Sequence, residues 1–354
     1  MQDAQGDDLG EIFRRLIRNT GPISLTQFMG ECNARYYDSR DPLGQQGDFV
    51  TAPEISQMFG ELIGLWLADM WIKAGREEEV AYVELGPGRG TLAKDALRAA
   101  AKYGFDPEVH FVEASHALRE VQGRAVPQAR FHHDLSTLPM DIPLLLVANE
   151  FLDALPVRQL VRAEIGWRER RVGLDGDRFV FVAGGQPMDS VIPPDWKEAA
   201  PGTILETCPA AAAIVYEIAG RLAEQGGAAL FFDYGHMALQ AGSTFQAVKA
   251  HRKIDPFDAP GTADLTALVE FETLARVAQS REVRHIGTTT QGAWLRALGI
   301  EARAQALMDK APHYSAEIHE AMVRLTAPDQ MGDLFKVMGL AGQGWRGGAG
   351  FTRD

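Results

Sequence analysis

Cysteine is scarce in this chain: two among 354 residues, Cys32 and Cys208, far apart and without metal-ligand spacing. That excludes a disulfide framework, predicts a reducing compartment and gives no reason to expect a metal. Long apolar runs are also missing. No stretch approaches the ~18 residues of a membrane helix, so no membrane span is predicted. Positive charge is in deficit, with 35 basic against 48 acidic residues and a formal net charge of −13. Such a field disfavours nonspecific binding to nucleic acid or anionic membrane, and no nucleic-acid partner is expected. The one small basic cluster, Arg168 to Arg171, reads as a solvated strand face. The first residues, Met1 to Glu11, are acidic and polar, unlike a signal or transit peptide, and predict a bacterial cytoplasmic protein. Repeats and low-complexity tracts are absent. The remainder, 46% hydrophobic and 23% charged, is an ordinary globular composition with a large core.

The chain is organised around Val83 to Thr91, VELGPGRGT. A short β-prone run, Val80 to Val83, leads in, and the Ala- and Leu-rich stretch Leu92 to Tyr103 reads as a helix. Strand, glycine turn and helix start make a cofactor site, because glycine tolerates φ > 0 and a helix start offers free N–H groups. Gly86, Pro87, Gly88 and Gly90 fall in a G-x-G-x-G pattern, with Thr91 where a dinucleotide fingerprint has its third glycine. Glu84, just before the first glycine, suits a cationic ligand such as S-adenosylmethionine better than a pyrophosphate. A plain βα turn without ligand, or an NAD site, are the alternatives.

Further strand ends carry polar groups in order. His110 to Glu113 reads as a second strand ending in an acid placed for ribose hydroxyls. Phe131 to Leu135 ends a third strand at Asp134. The apolar run Pro143 to Ala148 reads as a central parallel strand ending at Asn149 and Glu150. A fifth, Ala228 to Asp233, ends in Asp233-Tyr234-Gly235-His236. Glu84, Glu113, Asp134, Asn149 and Glu150 are therefore expected along one crevice. Upstream, Thr51, Pro53 and Glu54 read as the start of a helix carrying Phe59 to Met70, either as an entry turn or as a lid supplying Thr51 and Glu54. Val157 to Ala183 alternates around the hairpin turn Asp175-Gly176-Asp177. Leu205 to Glu224, Asp264 to Gln279 and Gln291 to Lys310 read as helical, Gly242 to Thr262 as irregular, and Gly339 to Asp354 as a partly loose tail.

These stretches together resemble the MidA-type methyltransferases. The matches are GDFVTAPEISQMFGELIGLW, VELGPGRGTLAKDALR, NEFLDALPV, FFDYGH and GTADLT, in family order from about Gly47 to Thr266, with a weaker FKVMGLAG near the end. The resemblance implies an α/β class I methyltransferase fold, a Rossmann-like seven-stranded sheet with an N-terminal helical region and β and helical insertions. It implies S-adenosylmethionine as cofactor. By position, Gly86, Pro87, Gly88 and Gly90 would cradle its methionine part and Glu113 its ribose. Asp134 and Leu135 would bracket the adenine, and Asn149 and Glu150 would stand beside the methyl group. The expected layout is an N-terminal helical cap or lid over 1–75 and a core over 76–354, with insertions at about 157–200 and 240–280.

Mitochondrial members of the family methylate an arginine on a respiratory complex I core subunit. A protein substrate of that kind is the first expectation for this chain. Methyl transfer to a guanidinium needs a carboxylate to orient it and stabilise proton loss. Glu150, Asp153, Asp233 and His236 are the candidates, although Asp153 could serve only a helix start and His236 only a structural bond. A small-molecule or RNA methyltransferase of the same fold is the second reading, and a non-catalytic assembly chaperone that binds the cofactor is the third. Trp and Phe clusters in the helical additions suggest a homodimer interface.

Overall fold

Ala81–Leu85 and Leu144–Asn149 are apolar toward both faces and almost entirely buried. Strands of that kind are stable only inside a parallel sheet covered by helices. The computed structural model, which describes residues 8–39, 51–76, 79–249 and 252–351, contains that sheet. Its strands are β1 (Ala81–Leu85), β2 (Glu108–Val112), β3 (Arg130–His132), β4 (Leu144–Asn149), β5 (Gly227–His236), β6 (Arg284–Thr290) and β7 (Phe335–Ala341). They lie in the order β6-β7-β5-β4-β1-β2-β3, with Val269–Glu270 paired to the end of β5. Only β7 runs antiparallel to its neighbours. This is the seven-stranded sheet expected above. The chain builds outward from β1 through β2 to β3, then returns to place β4 and β5 on the other side. The direction of build reverses between β1 and β4, where ligands of open α/β sheets bind.

Two helices on this sheet approach closely. In α1 (Gln57–Lys73), a Cβ added at Gly60 would stand 2.8 Å from the Asp95 Cβ, and one at Gly64 2.1 Å from the Ala96 carbonyl oxygen. Both neighbours belong to α2 (Thr91–Ala100), the helix behind the glycine turn. Only hydrogen at these positions lets the helices touch backbone to backbone. Trp66, Trp71 and Trp294 are buried in the same core. These three tryptophans therefore pack inside the protein.

The chain folds as two compact units: residues 1–40, 153–211 and 239–268 form one, and residues 41–152, 212–238 and 269–354 form the other, which holds the sheet. Residues 51–75, expected in an N-terminal cap, group with the sheet. The first unit has its own core of Phe13, Phe28, Val172 and Phe179 among others, with the Phe13 and Phe28 rings 4.9 Å apart. One of its sheets has the order Ile23–Ser24, Trp167–Asp175, Arg158–Arg162, Ile204–Thr207, and Arg178–Pro187 pairs with Trp167–Asp175 across the expected Gly176-Asp177 turn. A second sheet places Gln246–Lys249 between Arg252–Ile254 and Asp264–Thr266.

Several boundaries differ from the sequence reading. Leu205 to Thr207, read as helical, lie in the strand Ile204–Thr207, and the helix starts at Pro209, where the Ala211 N–H meets the Cys208 sulfur at 3.4 Å. The stretch after Asp264 is likewise strand first, and its helix, Phe271–Gln279, begins where Glu270 accepts the Thr273 N–H at 3.0 Å. Gly299, at φ 88°, divides Gln291–Ala297 from Ile300–Lys310. Gly242 to Thr262, read as irregular, contains two of the strands above. The glycine-rich tail is bound as far as residue 351: Trp345 and Phe351 are buried, and the Trp66 indole donates to the Ala349 carbonyl at 3.1 Å.

Candidate functional site

The glycine turn closes because three of its residues take left-handed backbone: Gly86 at φ 59°, Gly88 at 56° and Gly90 at 79°. Gly86 N–H donates to the Val112 carbonyl of β2 at 3.0 Å, which fixes the turn to the neighbouring strand end. A Cβ on Gly86 would stand 2.9 Å from the Phe151 ring. Gly90 then leads into α2, whose free N–H groups face the turn.

Glu84 does not stand open to this turn. It is buried, receives the Tyr82 hydroxyl at 2.6 Å and caps the Ala93 N–H in the first turn of α2. Burial pushes its carboxyl up to about 8, against the smaller opposite pull of these two bonds. A carboxyl mostly protonated at neutral pH offers a cation little charge, which corrects the electrostatic reason for expecting it beside the cofactor.

Glu113, one residue beyond β2, is held on both oxygens. Ser115 N–H donates to Oε1 at 2.8 Å, and the Gln122 amide to Oε2 at 3.0 Å. The same amide donates to the Gly88 carbonyl at 2.8 Å. Gln122 lies on α3 (His116–Ala125), and Arg119 of that helix donates to the Glu113 and His132 carbonyls. Past β3, exposed Asp134 accepts the Ser136 N–H at 2.8 Å and caps the turn Leu135–Thr137. The bonds from Ser136 keep its carboxyl below the usual range. The Leu135 carbonyl accepts from Arg221 at 2.8 Å, so this turn too is anchored.

At the end of β4, Glu150 adopts φ 51°, a strained backbone for a residue with a side chain. Its N–H bonds the Phe232 carbonyl at 2.9 Å, which holds the strain. Its Oε1 accepts the Ala52 N–H at 3.0 Å and the Asn149 side-chain amide at 3.2 Å. Asn149 Oδ1 is buried and has no partner among the described residues. Thr51 precedes the short helix Ala52–Ile55, and Glu54 in that helix accepts the Thr91 hydroxyl at the start of α2. Thr51 and Glu54 thus come to the glycine turn and to Glu150, whereas Gly47 to Val50 of the expected lid lie outside the described residues. The long helix expected here is two: Ser56 is extended, and its hydroxyl caps Met58 N–H at 3.2 Å to start α1.

The remaining candidates are placed differently. Asp233 is fully buried, and its two oxygens accept the backbone N–H groups of Leu152 (2.9 Å) and Tyr234 (3.1 Å). It holds the chain just after Glu150 rather than presenting a reacting carboxylate. His236 pairs in register with Glu270 at the end of β5. Burial, with a smaller push from Lys336, keeps its imidazole below the usual range despite Glu270. Asp153 belongs to the other unit, where its carbonyl accepts the Ala267 N–H at 3.0 Å and its charge acts on buried Tyr37.

Gln122 and Ser115 escaped the sequence reading, and Thr91 entered it only as the residue in place of a third glycine. Gln122 left one trace: an amide four residues after Leu118, on the face of α3 that is buried.

A sequence model of the family described as "Putative S-adenosyl-L-methionine-dependent methyltransferase" matches residues 62–289. The chain belongs to this family. Among curated relatives, the Xenopus laevis protein arginine methyltransferase NDUFAF7, mitochondrial, is 37% identical, covering 90% of this chain and 81% of that protein. The Homo sapiens protein of the same name is 36% identical, over 92% and 81%. Among solved structures, a Burkholderia thailandensis protein of the COG1565 superfamily, bound to S-adenosylhomocysteine, superposes with a TM-score of 0.83 at 28% identity, covering 99% of this chain and 97% of that one. The fold of this methyltransferase is class I, and its cofactor is S-adenosylmethionine.

The residues present fit that cofactor. Three left-handed glycines bring bare backbone to the mouth of the crevice. Asn149 offers a buried acceptor without a partner among the described residues, suited to the amino group of the methionine part. Glu113 presents a carboxylate already fixed by two donors, with lone pairs left for a ribose diol. Among the described residues no cluster could hold a metal ion, and no helix is long and apolar enough to cross a membrane.

Proposed function

We propose that this methyltransferase transfers its methyl group to an arginine side chain of a protein. The observation that carries the reading is the identity of 36–37% over nine-tenths of the chain to relatives named as protein arginine methyltransferases. The strained Glu150 at the end of β4 gives that reading a chemistry.

Gly86, Gly88 and Gly90, with Pro87, cradle the methionine part, Asn149 takes its amino group, Glu113 the ribose, and Asp134 and Leu135 the adenine. The cofactor supplies a methyl carbon bonded to a sulfonium sulfur. A guanidinium stays protonated, with a pKa above ~12, and spreads its charge over three nitrogens. Glu150 accepts N–H bonds from it, concentrates the charge away from the attacking nitrogen and takes the proton that this nitrogen sheds. Ala52 N–H and the Asn149 amide orient Glu150 for that task. Thr51 and Glu54 hold the N-terminal segment against the site. By the same resemblance, a subunit of respiratory complex I or its bacterial counterpart is the first substrate to try.

The test is methylation of protein extract from cells lacking this gene, using purified enzyme and S-adenosylmethionine with an isotopically labelled methyl group. Peptide mass spectrometry should find the label on arginine. Label found only on RNA, on small molecules or on another side chain contradicts the reading.

A further inference from the structure

We infer that Gln122 is a positioning residue for cofactor binding, coupling the glycine turn to the ribose carboxylate. The inference rests on the reading of Glu113 as the ribose ligand. Gln122 is wholly buried and touches two features that lie 25 residues apart in the chain, the Gly88 carbonyl and the Glu113 carboxylate. Both are acceptors, so its amide has one possible orientation: Nε2 between them, Oε1 turned away.

Oε1 then has no partner among the described residues. A buried carbonyl oxygen without a donor costs folding free energy. An apolar side chain of the same length would avoid that cost and leave the Gly88 carbonyl and the Glu113 carboxylate without their shared donor. The gain from glutamine lies in its two N–H bonds, and both end on groups assigned to the cofactor. One sets the peptide plane at Gly88, in the middle of the turn. The other, with Ser115 N–H on the opposite oxygen, fixes the rotation of the Glu113 carboxylate. Binding energy then goes to the ligand rather than to ordering the two halves of its site.

Gln122→Met keeps volume and removes both bonds. Gln122→Glu keeps shape and sets a second carboxylate against two acceptors. Each variant is titrated calorimetrically with S-adenosylhomocysteine beside Glu113→Ala, with thermal unfolding measured without ligand. For Gln122→Met the expected result is about tenfold weaker affinity at an unchanged or raised unfolding midpoint. Its KM for S-adenosylmethionine should rise by a similar factor, with kcat at saturation preserved. Gln122→Glu should lose more affinity than Gln122→Met. Wild-type affinity in both Gln122 variants, alongside a large loss in Glu113→Ala, overturns the inference and leaves the ribose reading standing. Wild-type affinity in Glu113→Ala overturns the ribose reading, and the inference with it. Should Gln122→Met fail to fold, Gln122→Glu decides by the same comparison.

Discussion

Each unit is assembled from three separated segments, and the two differ in what one segment holds by itself. In the sheet unit, residues 81–149 carry β1 to β4, and β1, β2 and β3 pair in chain order. In the other unit the first sheet draws on two segments, 1–40 and 153–211. There Ile23 pairs with Val172, and the strand Arg158–Arg162 finds its outer partner at Ile204–Thr207. Chemistry obeys the same division. The glycine turn, Glu113, Asn149 and Glu150 all lie in one segment of the sheet unit, 41–152, while the other unit carries Asp153 and a polar network of Gln159, Glu206 and Arg170.

That comparison can be broken in steps. The largest effect is expected from Trp167→Ala, which empties a fully buried site in the unit that lacks β1 to β7. The loss should be about 3–5 kcal/mol in denaturant unfolding. Affinity of the remaining folded protein for S-adenosylhomocysteine should stay near wild type, because no group assigned to the cofactor lies in that unit. A matching loss of affinity would mean that the two units do not divide the work this way. Gly64→Ala tests the sheet unit itself, since its methyl group meets the Ala96 carbonyl. A destabilisation of about 1–3 kcal/mol should be accompanied here by weaker cofactor binding, because α2 must shift and the glycine turn runs into it.

A smaller effect belongs to Glu84. Its carboxyl titrates near 8 in the folded protein, against about 4.3 for an unfolded glutamate. Between those values the folded state keeps a proton that the unfolded state has released. This contribution to stability is therefore complete below about pH 4 and is lost as pH rises to about 8. Glu84→Gln should flatten the fall in stability over that window, read from unfolding midpoints at pH 5 and pH 8. An unchanged slope would place the titration elsewhere.

The sheet was legible because its strands carry their own signals. Leu144–Asn149 is apolar on both faces, and Gly86, Gly88 and Gly90 mark a turn that takes left-handed backbone at three positions. Glu113, Asp134, Asn149 and Glu150 could be placed beyond their strands because the end of a strand fixes where the next residue sits. Ile204–Thr207 could not be told from the helix after it, since the hydrogen bonds that make it a strand come from Arg158–Arg162. The orientation of Glu84 toward Ala93 depends on which face of β1 the helix covers, and position before a glycine does not encode that. Gln122 was invisible for a similar reason: its two partners belong to other elements.

Glu150 is proposed to serve the transfer step rather than cofactor binding. Glu150→Gln tests it most directly, because the amide oxygen can still accept the Ala52 N–H. Methyl transfer to the arginine substrate is measured at saturating S-adenosylmethionine, beside the affinity for S-adenosylhomocysteine. Transfer should fall about a hundredfold or more, with affinity held within a few fold. Transfer at the wild-type rate, or a loss explained wholly by weaker cofactor binding, would contradict the account.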